Sequence, residues 1–244
     1  MLDPRTLHRF LRAVRLRRES VSSFEEYPFS IPAIRQLGEL ELDPRLTVLV
    51  GENGSGKSTL LEAIAIAAGY NAEGGTKNLR FETRASESEL HRHLIPVRGA
   101  AREKGGFFLR AESLYNVATE AERRGLTAYG WDPLHELSHG EAFLWLLEHK
   151  FHPEGLYFLD EPESALSPQR QLSMLVRMHT ILEGGAQLVM ATHSPILMSY
   201  PGARILSLSR EGIQPVELED TEHFQVTKAF LTNRHAFLRH LLES

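Results

Sequence analysis

The chain has 244 residues, 42% of them hydrophobic and 24% charged, enough for a folded domain with a sizeable core and too apolar for wholesale disorder. Its formal charge of −5 argues against a protein that simply coats nucleic acid, and the lack of cysteine excludes disulfides and cysteine-ligated zinc or iron–sulfur centres. The basic N-terminal stretch has no uninterrupted apolar core and no window approaches the ~18 apolar residues of a membrane helix, so a cytoplasmic protein without direct membrane insertion is expected.

In chain order, Val14-Arg15-Leu16-Arg17 alternates and reads as a strand with a basic outer face. "ELEL" (39–42) and "RLTVLV" (45–50) are further strand candidates, parted by the turn-like Asp43-Pro44. The second is nearly all apolar, as in a strand buried on both faces, and runs into "GENGSGKS" and the helical stretch "TLLEAIAIAAG". Residues 71–106 are dense in glycine and charge and predict an exposed, partly mobile arm. In 107–150, "GFFLRA" predicts a strand, "ESLYNVATEAERR" a helix and "EAFLWLLEHKF" a short apolar helix. "GLYFLD" follows as a buried strand, then "PQRQLSMLVRMHTILEGG" as a helix stopped at Gly184-Gly185, and "AQLVMAT" as a strand. "RILSLS" and "GIQPVEL" predict a terminal hairpin and "KAFLTNRHAFLRHLL" a closing helix. Strands alternating with helices point to one α/β domain over 1–244 with a largely parallel central sheet.

"GENGSGKS" spells G-x-x-x-x-G-K-S between a buried strand and a helix, a context that sets it apart from a glycine-rich turn carrying an exposed lysine. The loop Gly51, Glu52, Asn53, Gly54, Ser55 and Gly56, with Lys57, Ser58 and Thr59 opening the helix, can turn successive backbone N–H groups onto phosphate oxygens. Lys57 is expected to bridge the β- and γ-phosphates of a nucleoside triphosphate, and the Ser58 hydroxyl to ligate Mg2+. "GLYFLDEPE" ends a buried strand in Asp160 and Glu161, delivering two acids to the sheet edge that carries the phosphate loop. Asp160 is expected at the metal and Glu161 at the attacking water; the bland alternative is two solvated acids opening a loop. His193 ends the strand "QLVMAT", where it can meet a γ-phosphate, although a lone histidine is more often structural.

"LHELSHGEAF" sets serine beside histidine, yet it lacks the first glycine of a G-x-S-x-G elbow and no buried strand leads into it. Ser138 and Gly140 instead cap an apolar helix, a helix N-terminus able to receive an anion. The order of these motifs resembles an ABC-class P-loop ATPase: "GENGSGKS" as Walker A, "LSHGE" as the signature, "LYFLDEPE" as Walker B, "SALSP" as the D-loop and His193 as the switch histidine. The L-S-x-G-E form is closer to the SMC/RecF branch than to transporter subunits. Nearly the whole chain is also similar to stand-alone bacterial AAA-family ATPases of about this length.

The resemblance implies ATP and Mg2+ as ligands, an N-terminal antiparallel β region, a helical region carrying the signature, and two copies sandwiching two nucleotides head to tail. In that arrangement Ser138 and Gly140 of one copy face the γ-phosphate held by Lys57 of the other, and Ser138 is no nucleophile. Several residues depart from the pattern. His139 replaces a glycine, Ser167 replaces the D-loop aspartate, and no glutamine occurs between Thr59 and Leu137, which leaves Glu112 as the substitute near the metal. Phe24, Tyr27 and Phe29 are candidates to stack on adenine, with core packing as the alternative.

Three functions remain open. One is an ATP-switched machine in DNA maintenance or defence, with a basic N-terminal face or a protein as its contact. The others are the ATP-binding subunit of a transporter and a regulatory module partnering a toxin or effector.

Overall fold

A computed structural model describes residues 10–72, 74–77, 88–110, 119, 123 and 137–242. Its strands are β1 (Leu11–Leu16), β2 (Glu39–Glu41), β3 (Leu46–Val50), β4 (Leu94–Arg98), β5 (Gly105–Arg110), β6 (Gly155–Asp160), β7 (Gln187–Ala191), β8 (Arg204–Ser209) and β9 (Gly212–Pro215). The α-helices are α1 (Pro32–Arg35), α2 (Lys57–Ala67), α3 (His139–His149), α4 (Pro168–Glu183), α5 (Pro195–Met198), α6 (Glu222–Thr232) and α7 (Arg234–Leu242).

The main sheet has the order β5-β6-β7-β3-β8-β9; its first five strands run parallel and β9 returns antiparallel from β8. Both faces of this sheet are covered, which is why β3, β6 and β7 are buried at every position. Period-two alternation divides the side chains between two cores. Val48, Phe107, Tyr157, Leu159 and Met190 meet Phe143 and Leu146 of α3 and Met174, Met178 and Ile181 of α4. Leu49, Phe108, Leu156, Phe158 and Val189 face the other way, onto Leu60, Leu61 and Ile64 of α2 and onto Leu11 and Val14 of β1. Each large apolar side chain so buried is worth about 1.5–3 kcal/mol of transfer free energy.

The second sheet, β2-β1-β4, is antiparallel throughout. A buried glutamine joins it to the main sheet: Gln187 of β7 accepts from the Leu11 N–H and donates to the Leu11 and Asp43 carbonyls, at 2.7–3.0 Å. Arg15 and Arg17 are exposed on either side of buried Leu16, as alternation predicts, and Arg12 is exposed too, at the register irregularity between Leu11 and Ala13.

Two expectations need correction. Within the expected arm 71–106, Leu94–Arg98 is a strand paired with β1 and Leu90 is buried, while residues 73 and 78–87 lie outside the described residues. Pro96 hid that strand; it is tolerated because β4 is an edge. The closing helix is two helices, with Asn233 at φ −140°, ψ 52° between α6 and α7. The helix expected over "ESLYNVATEAERR" lies almost entirely outside the described residues. No helix among the described residues is long and apolar enough to cross a membrane.

Candidate phosphate-binding site

Because β5, β6, β7 and β3 are parallel neighbours, their carboxyl ends share one edge of the sheet. Arg110 closes β5, Asp160 closes β6, His193 follows β7, and Val50 of β3 leads into the loop 51–56. The loop needs its glycines. Gly51 has φ +145°, and a Cβ there would stand 2.4 Å from the Leu208 carbonyl oxygen; Gly56 has φ +95° and would meet Ile31 at 2.9 Å. Glu52, Asn53 and Gly54 are exposed, Ser55 half-buried, and the loop lines a cleft of about 550 Å³ together with Ser207–Glu211 and Thr221–His223.

Lys57 is buried at the start of α2, and its ammonium donates to the Gly51 and Glu52 carbonyls at 2.8 and 3.0 Å. Burial lowers its pKa, and the negative field of Glu161, Asp160 and Glu163 opposes that. Ser58 and Thr59 follow in the first turn. The Ser58 hydroxyl is near enough to Asp160 to favour its charged form, and the Thr59 hydroxyl lies 3.2 Å from the Tyr27 hydroxyl.

Asp160 is pushed up to about 6, chiefly by burial, with Arg110 and the Ser58 hydroxyl pulling it down. Its Oδ1 is buried without a hydrogen-bond partner, and its Oδ2 lies 3.6 Å from the Arg110 guanidinium. Arg110 is in turn clamped by Glu62 of α2 at 2.5 Å. A buried orphan carboxylate oxygen next to a serine hydroxyl is a donor set that suits a hard divalent cation such as Mg2+. Glu112, the other metal candidate, lies outside the described residues.

Glu161 sits in the left-handed region at φ 46°, ψ 53°, unusual for a residue with a side chain, and its N–H donates to the Ala191 carbonyl at 2.9 Å. That bond ties the end of β6 to the end of β7 and turns the carboxylate toward His193, whose Nε2 is 3.7 Å from Glu161 Oε1. His193 Nε2 is buried and has no hydrogen-bond partner among the described residues, while Nδ1 lies 2.7 Å from His223 Nε2. Burial, Lys57 and His223 lower the His193 pKa, against Glu161, so the ring is neutral at neutral pH.

Sequence reasoning missed Glu163. Its carboxylate accepts from the His193 N–H at 2.5 Å and the Thr192 hydroxyl at 2.7 Å, fixing the loop after β7. The second acid of "DEPE" was the available signal. His223 and Arg110 were missed too, because nothing local ties either to this edge.

The signature residues lie apart from these contacts. Ser138 is exposed and N-caps α3 in a capping box: its N–H and hydroxyl both reach Glu141 Oε2, at 3.0 and 2.5 Å, and Arg170 bridges Ser138 and Glu141. The bonds from Ser138 hold Glu141 below the usual carboxylate range. Gly140 is buried against α4, where a Cβ would stand 2.7 Å from the Ala165 carbonyl oxygen. His139 is exposed, and Ser167 caps α4 through the Arg170 N–H. Of the three aromatics, Phe29 is core and Phe24 packs edge-on to it under Arg18, whereas Tyr27 is 67% exposed beside Thr59. His91 and His93 bond Ser88 and Ser20, and no group of metal-ligating side chains is found among the described residues.

A family model described as an AAA domain matches residues 27–110, and a second matches residues 131–199, described as an AAA domain and naming an AbiEii toxin of a type IV toxin–antitoxin system. The ABC multidrug transporter atrG of Aspergillus oryzae is 26% identical over 188 residues, 68% of this chain and 13% of that protein. ABC multidrug transporter C of Aspergillus fumigatus is 25% identical with the same coverage, so the chain spans 13% of the length of these curated relatives. Among solved structures, the SMC head domain from Thermotoga maritima is 18% identical, with 85% of this chain and 99% of that chain covered and a TM-score of 0.47. An ATP-binding cassette of an ABC transporter is 15% identical, with 90% and 98% covered and a TM-score of 0.49.

Proposed function

We propose that this chain is an ABC-class P-loop ATPase related to the SMC and RecF branch and works as a head-to-tail dimer closed by ATP; the two AAA-domain matches support a P-loop ATPase. ATP binding and hydrolysis, the dimer, its residue roles and its biological task are all part of the proposal. Lys57 exchanges its two loop carbonyls for β- and γ-phosphate oxygens, and the loop N–H groups complete the cradle. Ser58 and Asp160 hold Mg2+, which when bound neutralises phosphate charge. Glu161 orients the attacking water and accepts its proton, and neutral His193 donates from Nε2 to the γ-phosphate.

The observation that carries the dimer is the state of Ser138. It is exposed at the N-terminus of an 11-residue helix, and its bonds go to Glu141 and Arg170, with none to the phosphate loop. Such a helix end is an anion site aimed outward, and the γ-phosphate of a second copy supplies the anion. Loss of that phosphate removes the contact, so nucleotide state becomes assembly state.

For the biological task we favour DNA maintenance or defence. The toxin–antitoxin description of the second matching family supports defence, and leaves open a toxin or effector protein as partner. A transporter subunit is the second reading, favoured by the multidrug transporter relatives, but no glutamine stands where a transporter's coupling loop would carry one.

Complementation tests the head-to-tail arrangement. Lys57→Ala and Ser138→Arg are each expected to be inactive alone. Mixed in equal amounts they should regain about a quarter of wild-type turnover, one intact composite site in half of the dimers. No recovery on mixing would overturn the arrangement.

A further inference from the structure

We propose that His223 is a positioning residue for hydrolysis: by donating a hydrogen bond to His193 Nδ1, it fixes the His193 proton on Nε2, the nitrogen that meets the γ-phosphate. This rests on His193 acting as the γ-phosphate contact.

The main chain at His193 has little freedom, since its N–H is held by the Glu163 carboxylate at 2.5 Å and the neighbouring Thr192 hydroxyl by the same group. What remains to be set is the ring. A neutral imidazole donates from one nitrogen and accepts at the other. An ionised phosphate oxygen only accepts, so a useful His193 must carry its proton on Nε2 and leave Nδ1 as an acceptor. The atom facing Nδ1 is His223 Nε2 at 2.7 Å, and the two rings stand 4.8 Å apart at 60°. In that pair exactly one ring can donate. If His223 donates, His193 Nε2–H is directed into the buried position where the structure gives it no other partner and where Glu161 stands 3.7 Å away.

The position of His223 is itself well determined. It is the second residue of α6, whose N-cap Thr221 is buried and accepts from the Phe224 N–H, and it lines the same cleft as Gly51–Ser55. The contact therefore joins the C-terminal part of the chain to the residue after β7, 30 positions earlier.

Steady-state ATPase kinetics on five proteins test this: wild type, His223→Phe, His223→Gln, His193→Ala and the His193→Ala/His223→Phe double variant. His223→Phe keeps a ring but no donor, and should lower kcat about tenfold, the rate equivalent of one hydrogen bond, with KM for ATP little changed. His223→Gln keeps an amide donor and should recover most of the loss. In the His193→Ala background, His223→Phe should do nothing further.

A wild-type kcat in His223→Phe, no difference between Phe and Gln, or an undiminished effect of Phe without His193 would overturn the proposal. If His193→Ala alone leaves kcat unchanged, the γ-phosphate role of His193 falls and this inference with it. A spectroscopic signature stands apart from turnover. In ¹⁵N-histidine-labelled Glu161→Gln protein with Mg·ATP, the His193 ring should be protonated at Nε2, and His223→Phe should abolish that preference; an unchanged tautomer would contradict it.

Discussion

Burial holds the Asp160 carboxyl near 6, where an ordinary aspartate sits at 3.8, because the Ser58 hydroxyl and Arg110 restore only part of its lost hydration. The folded chain thus binds this proton more tightly than the unfolded chain does. Where a folded pKa is raised, stability is fullest below the unfolded value and is lost as pH rises through the folded one. Above about pH 6 the folded protein therefore carries an under-compensated charge costing about 2–3 kcal/mol. Asp160→Asn, melted without Mg·ATP at pH 7.5, should gain roughly 5 °C, and the gain should shrink toward pH 4. A lower melting temperature at pH 7.5 would contradict this. The same substitution removes the carboxylate charge proposed to hold Mg2+, so stability and activity should move in opposite directions.

At the scale of elements, the signature helix depends on close approach. Gly140 of α3 meets the Ala165 carbonyl and the Arg170 side chain where a Cβ would stand 2.7 and 2.4 Å away. Gly140→Ala, ordinarily helix-favouring, should instead destabilise by about 1–3 kcal/mol in urea unfolding. A neutral or stabilising result would show that α3 and α4 separate at no cost. These elements also show what the sequence reveals and where it stops. Loop 51–56, the acids closing β6 and the cap of α3 were legible because each is a local pattern next to a strand or helix boundary. β4 was not, since Pro96 and its charged neighbours resemble a loop until β1 is placed beside them. Glu163, Arg110 and His223 act only through contacts made when β5, β6, β7 and α6 come together, and no single segment encodes that.

At the scale of the whole molecule, charge and assembly decide what the proposed ATPase acts on. The exposed arginines of β1 and the turn after it are partly spent within the fold: Arg15 pairs with Glu39 at 2.5 Å, and Arg18 donates to the Arg35 carbonyl. With a net charge of −5, any DNA contact should be weak and salt-sensitive. Raising salt from 50 to 200 mM should cut affinity roughly 40-fold for about three phosphate contacts, and no binding at the lower salt would remove the DNA reading. The central claim is assembly. Glu161→Gln should bind ATP and stall after closure, so light scattering in saturating Mg·ATP should give twice the 27.6 kDa of one chain. A mass that stays at one chain, with ATP demonstrably bound, would contradict the account.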